Sequence, residues 1–215
     1  MNLFRFLEDD QIKFINKTRY EVRFHKGEIM FKQGGPFTHI ACLTSGMAKI
    51  YIEDPEKKNL ILKIVKPTEI IGGPGFNVDS RHHFSVAAME ESTACFIDIN
   101  AFTELVKTNT TFAMEFIKQI NTTTINLYNK MMSLTHKQMH GRIADTLLYL
   151  SDSIYESTEF ETNLSRQDVA DLSAMTKESA IRILKEFKED GIIEFNTSSF
   201  HILNLETLRK ISKTG

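Results

Sequence analysis

The chain has 215 residues, 41% hydrophobic and 25% charged, with a formal net charge of −2. These values place it among ordinary globular proteins of one or two domains and exclude collagen-like and disordered classes. No run of about 18 apolar residues occurs and Met1–Asp10 lacks the pattern of a secretory signal, so a cytoplasmic location without a membrane partner is expected.

A short helix is predicted around Leu7–Asn16. All four prolines and seven of the ten glycines then fall between Gly27 and Gly75. These residues punctuate strands and turns and break helices, so the first third should be strand and turn and the remainder mostly helical. Runs rich in β-branched and aromatic residues at Glu28–Gln33, His39–Leu43, Ala48–Glu53, Leu60–Val65 and Phe84–Met89 are predicted strands of a sandwich, jelly roll or barrel. Cys42 and Cys95 are too few for a disulfide framework, a four-thiolate zinc site or an iron–sulfur cluster, and fit free thiols in a reducing compartment.

From Thr111 to about Lys137 no glycine or proline interrupts the chain. Ala113, Ile117, Ile120, Thr124, Leu127, Met131 and Leu134 follow at alternating steps of four and three, a heptad stripe. That spacing keeps two helices together along a seam, so a parallel homodimer through these residues is expected. A helix packed on its own domain is the alternative, because Phe112, Phe116 and Tyr128 widen the apolar face. Gly141 is read as the end of this helix, Arg142–Ser151 as a core-facing helix, and Asp152–Asn163 as an acidic, polar connection.

Between Leu164 and Phe187 two helical stripes are separated by one turn. Ser165 with Asp168 can cap the first helix, where Val169 and Leu172 form the buried side. Thr176 can cap the second, where Ala180, Ile183, Leu184 and Phe187 face inward and Lys177, Glu178, Arg182, Lys185 and Lys188 outward; Gly191 stops it. Ile192–Phe195, Asn196–Ser199 and Phe200–Leu203 read as a hairpin, which completes a winged helix-turn-helix.

These motifs, with Lys26-Gly27-Glu28, Ile70-Ile71-Gly72, Gly141-Arg142-Ile143-Ala144 and Ser165-Arg166-Gln167, resemble those of the Crp/Fnr family of bacterial transcription factors, named for the cyclic-AMP receptor protein and the fumarate–nitrate reduction regulator. The resemblance spans nearly the whole chain and is more specific in the carboxyl half. It implies an α+β fold with three parts: a cyclic-nucleotide-binding-like double-stranded β-helix (jelly-roll) barrel over 1–109, a dimerisation helix and hinge over 110–137, and a winged helix-turn-helix over 138–215. The implied function is that of a homodimeric, sequence-specific DNA-binding regulator with an effector-sensing barrel; RNA polymerase is a further implied partner.

Glu178 and Arg182 lie four apart on one helical face and can enter a major groove together. Arginine can bridge O6 and N7 of guanine and a carboxylate can accept from N4 of cytosine, so the pair can read G·C base pairs. The resemblance implies a TGA-like half-site core within a pseudo-palindrome, with reading helices about 34 Å apart as known for the family. Ser165, Arg166, Gln167, Thr176 and Ser179 sit at helix starts and can supply phosphate contacts, beside the base-reading Lys177. From His136 onward ten lysine and arginine residues face thirteen aspartate and glutamate residues. Lys177–Lys188 is locally basic, so nonspecific affinity should be modest and salt-sensitive.

The candidate effector pocket comprises Gly72, Gly73, Pro74, Gly75, Phe76, Ser85, Val86, Leu127 and Tyr128. In relatives that bind cyclic AMP a glutamate in this loop meets the ribose and an arginine–serine pair meets the phosphate. Here Gly73 and Ser85-Val86 occupy those positions, so cyclic AMP is not expected to bind in the usual way. No cofactor is evident, although haem or an unknown small molecule remains open: His82-His83 is expected as a solvated pair in a polar loop that could meet haem. His136 and His140, spaced i and i+4, read as surface histidines, and no metal site is assigned. Motifs of nucleophile and base, clustered metal ligands and phosphate loops are missing, so no enzyme is expected. The rival reading is a ligand-binding or protein-interaction module that has lost DNA binding.

Overall fold

The structure is a computed structural model that describes residues 3–56 and 58–215. The chain divides into two compact units. One comprises the chain up to Asp54 together with Lys63–Asn126, the other Pro55–Leu62 with Leu127–Gly215.

The first unit opens with a 3-10 turn at Leu3–Phe6 and helix α1, Asp9–Asn16. Among the described residues eight strands follow in the chain: β1 Tyr20–Phe24, β2 Ile29–Phe31, β3 His39–Ser45, β4 Ala48–Glu53, β5 Asn59–Val65, of which only Lys63–Val65 is counted in this unit, β6 Ile70–Ile71, β7 Ser85–Ala88 and β8 Ser92–Asp98. They form two four-stranded sheets, ordered β1-β8-β3-β6 and β2-β7-β4-β5. β3, β7 and β8 bury runs of consecutive residues, so successive side chains of β3 and β8 enter cores on opposite faces of their sheet. Ala41, Leu43, Ala48, Val86, Ala94 and Phe96 form one buried cluster.

The β3–β8 register places Cys42 directly opposite Cys95; both are buried free thiols. Burial pushes the Cys42 thiol up to about 11. On the face that carries the two cysteines, opposite the Ala41–Leu43 cluster, Ile40 and Ile97 pack with helix α2, Ile99–Thr108, whose Phe102 is fully buried. Asp98 caps α2 by accepting from the amides of Asn100 and Ala101. Strands β1, β6 and β8 and helix α2 add to the elements expected from sequence. β6, at two residues, is too short to show a period, whereas β1 does alternate polar and apolar residues as a half-buried strand does.

Helix α3, Thr110–His136, is 27 residues long. Its Phe112 and Phe116 turn into the core of the first unit, where their rings meet Phe102 edge-on at 5.5 and 5.0 Å.

In the second unit, helix α4 spans Met139–Tyr149. The helix break therefore falls at 137–138, not at Gly141. Gly141 lies inside the first turn of α4, where a Cβ would come within 2.7 Å of the Gly215 carbonyl oxygen. The glycine permits close backbone approach there and does not stop the helix. A π-helical turn, Leu150–Tyr155, follows, then strand β9, Glu159–Glu161. The expected polar connection thus holds a strand. Glu159 and Glu161 are exposed and only Phe160 is buried, a pattern that a three-residue strand cannot reveal by periodicity.

Helices α5, Arg166–Leu172, and α6, Lys177–Glu189, precede strands β10, Ile193–Phe195, and β11, Ser199–Ile202, and helix α7, Leu205–Thr214. The hairpin is joined by β9 in a sheet ordered β10-β11-β9. Leu208 of α7 is fully buried, as are Ile143, Leu147, Val169, Ile183 and Leu184, the core beneath the two helices.

Candidate nucleic-acid interface

Helix α5 starts at a reciprocal cap. The Ser165 hydroxyl accepts from the Asp168 amide at 3.1 Å, and the Asp168 carboxylate accepts from the Ser165 amide at 2.9 Å. Helix α6 starts where the Thr176 hydroxyl accepts from the Ser179 amide at 3.2 Å. Both caps satisfy amides that the first helical turn leaves without intrahelical partners.

The turn between the helices is built around Ala174, whose φ of +50° is left-handed. That conformation crowds an L residue's Cβ, so neighbours must hold it. Thr146 of α4 meets Ser173 hydroxyl to hydroxyl at 2.8 Å, Arg142 donates to the carbonyls of Lys137 and Ala174, and Lys130 donates to the Leu172 carbonyl at 2.8 Å. Burial lowers the Lys130 ammonium to about 8. Asp145 accepts from Lys137 at 2.8 Å, from Ser212 at 2.6 Å and from Ser133.

On α6, Ala180, Ile183, Leu184 and Phe187 are buried and Lys177, Glu178, Arg182, Lys185 and Lys188 exposed. Arg182 does not pair with Glu178. Its Nη1 donates to Glu186 Oε1 at 2.6 Å, and Glu186 Oε2 meets Nε2 of His140 at 2.6 Å. The His140 hydrogen bond, then the Arg182 pairing, hold the Glu186 carboxyl below its ordinary value despite opposing desolvation. Glu178 has no hydrogen bond or ion pair among the described residues.

The predicted phosphate-contacting residues separate. Ser165 and Thr176 are engaged as caps, and Gln167 donates to Asp171 at 2.7 Å. Arg166 is drawn to the wing: its guanidinium lies 4.9 Å from the ring centroids of both Phe195 and Phe200 and donates through Nη2 to the Asn196 carbonyl. Desolvation lowers its pKa, and Nη1 is buried without a partner. Sequence spacing carries no sign of this, because the wing lies thirty residues downstream.

In the barrel, the Gly72–Phe76 loop is closed by packing. A Cβ on Gly72 would come within 2.9 Å of the Ile40 side chain; one on Gly73 would lie 3.3 Å from the Phe84 ring, and one on Gly75 only 1.9 Å from the Arg81 carbonyl oxygen. Phe76 meets Phe102 and Phe116 edge-on at 5.7 and 5.8 Å. Ser85 and Val86 are fully buried, and the Ser85 hydroxyl accepts from the Gln33 amide at 3.0 Å. Arg81 is exposed and donates to the Gly34 carbonyl. Leu127 and Tyr128 are exposed on α3.

The expected solvated pair His82-His83 is a correction. His83 is exposed as expected, beside Asp79 at 3.0 Å, but His82 is only 4% exposed, its ring 4.3 Å from that of Phe31 and 4.7 Å from that of Phe37. Its Nδ1 is buried without a partner, and desolvation lowers its pKa to about 4. His136 lies exposed, while His140 is committed to Glu186. Among the described residues no cluster of three potential metal ligands occurs.

Residues 21–109 match the family described as cyclic nucleotide-binding domain, and residues 141–211 match the Crp-like helix-turn-helix domain. This chain belongs to the Crp/Fnr family of transcription regulators. Its Crp/Fnr relatives include the transcriptional regulatory protein btr of Bordetella pertussis, 23% identical over 88% of this chain and 80% of that protein. Electron transport regulator A of Shewanella oneidensis is 25% identical over 87% of this chain and 75% of that one. FixK2 from Bradyrhizobium japonicum has the same fold, with a TM-score of 0.83 at 16% identity, covering 92% of this chain and 99% of that one. Among the described residues no helix is long and apolar enough to cross a membrane.

The stripe predicted for the Crp/Fnr dimer is divided in exposure. Ile117, Ile120, Leu127 and Met131 are exposed, while Ala113, Thr124 and Leu134 are partly buried. Met114, Ile125, Tyr128 and Met132 widen the exposed apolar face. Phe112 and Phe116 are buried in the core of the first unit, so the amino end of α3 packs on its own domain.

Proposed function

We propose that this Crp/Fnr regulator is a cytoplasmic homodimer that reads a pseudo-palindromic site through paired α6 helices, with no catalytic role. The observation that carries this reading is the exposed face of α6, where among the described residues Glu178 has no hydrogen bond or ion pair and Arg182 is held through Nη1 alone. A solvated carboxylate and the Nε–Nη2 edge of the arginine on one face can address the edges of a G·C pair or of adjacent pairs. Lys177 adds a charge at the helix start, and the first turns of the helices that Ser165 and Thr176 cap can turn amides to phosphate. The exposed apolar face of α3 supports pairing with a second copy, because a solvated stripe of isoleucine, leucine and methionine favours burial.

In this reading the barrel answers to an effector other than cyclic AMP in the usual mode. Gly73 offers no carboxylate to a ribose, a Cβ there would press the Phe84 ring at 3.3 Å, and Ser85 is occupied by the Gln33 amide. Calorimetry with cyclic AMP should give no heat of binding; a micromolar dissociation constant would refute this part. The deciding test of the whole proposal is selection of random duplexes by the purified protein. A palindrome with a TGA-like core is expected, and failure to enrich any motif would favour a module that has lost DNA binding.

A further inference from the structure

Arginine is a long side chain, and fixing it for base recognition costs rotamer entropy unless something else already holds it. Arg182 is 53% exposed, with its Nη1 held by Glu186 Oε1 at 2.6 Å; the other carboxylate oxygen, Oε2, is held by Nε2 of His140 at 2.6 Å. His140 lies in the first turn of α4, 46 residues from Glu186 in sequence. The carboxylate therefore takes one edge of the guanidinium and is itself anchored to a second helix.

With His140 on Oε2, Glu186 meets the arginine through Oε1 alone. The Nε and Nη2 edge makes no hydrogen bond among the described residues. That edge presents two parallel donors, the pattern that O6 and N7 of guanine accept. We infer that Glu186, anchored by His140, is a positioning residue that presents the Nε–Nη2 edge of Arg182 to a guanine and so sharpens base discrimination at that one position. This inference rests on the reading of α6 as the groove helix. A plain surface pair of this spacing would be a weak stabiliser with no effect on base choice.

The test measures affinities of the full-length protein for the selected duplex and for duplexes changed at each base pair in turn. Wild type is compared with Arg182→Ala, Glu186→Ala and Glu186→Gln, with thermal melting as a check on folding. Ratios between duplexes cancel the general gain expected when a carboxylate near phosphates is removed. Arg182→Ala should abolish discrimination at one G·C pair. Glu186→Ala should lower discrimination at that same pair roughly three- to tenfold and leave the other positions unchanged. Glu186→Gln keeps an acceptor oxygen and should fall between, and it carries the test if the alanine variant melts early. Unchanged or increased discrimination in Glu186→Ala, with Arg182→Ala still position-specific, would overturn the buttress while the reading of Arg182 stands. If Arg182→Ala alters no single position, both fall together.

Discussion

His82 should make the barrel acid-labile. Its ring is enclosed by Phe31 and Phe37, and burial lowers its pKa from 6.5 to about 4. Below pH 6.5 the unfolded chain takes up a proton at this residue, whereas the folded barrel does so only near pH 4. Stability from this group is therefore fully present above 6.5 and declines as pH falls toward 4. Integrating the difference gives a loss of about 2 kcal/mol between pH 7 and pH 5, rising to roughly 3 kcal/mol once both states are protonated. Opening free energies of the β7 and β8 amides, from hydrogen exchange corrected for intrinsic rates, provide the assay. Wild type should lose about 2 kcal/mol more over this interval than His82→Phe or His82→Gln, which cannot titrate; carboxylates common to all three cancel in the difference. Parallel pH dependence in wild type and both variants would refute the assignment of a buried neutral imidazole.

Other consequences follow from single contacts. Ala174→Gly should stabilise the second unit by up to about 1 kcal/mol in urea unfolding, since glycine adopts the left-handed φ without the Cβ clash, partly offset by the freer unfolded chain. Asp145→Ala removes the acceptor shared by Ser133, Lys137 and Ser212 and should cost about 1–3 kcal/mol, read as a lowered melting temperature of the helix-turn-helix unit. Ile117→Glu with Met131→Glu places charge on the exposed stripe of α3, where both side chains are solvated in the single chain. The fold should survive, while light scattering reports a monomer and operator affinity drops by orders of magnitude; a dimer of unchanged affinity would place the interface elsewhere.

The helix-turn-helix was legible because its signals are local. Ser165 with Asp168 and Thr176 with Ser179 act over three residues, and the buried positions of α6 recur at helical spacing. The heptad stripe of α3 and five of the barrel strands were readable for the same reason. Strands β6 and β9, of two and three residues, were too short to establish a period.

The amino-acid order alone determined the caps, the helical faces, the glycine-bracketed strands and hence the family resemblance, since each depends on neighbours within about four residues. Only the tertiary structure decided which distant groups meet. Cys42 faces Cys95 by strand register, His82 is enclosed by Phe31 and Phe37, Arg166 lies against the wing, and Glu186 is tied to His140. None of these pairings has a repeating signature, because sheet register and side-chain enclosure are set by packing between segments far apart in the chain.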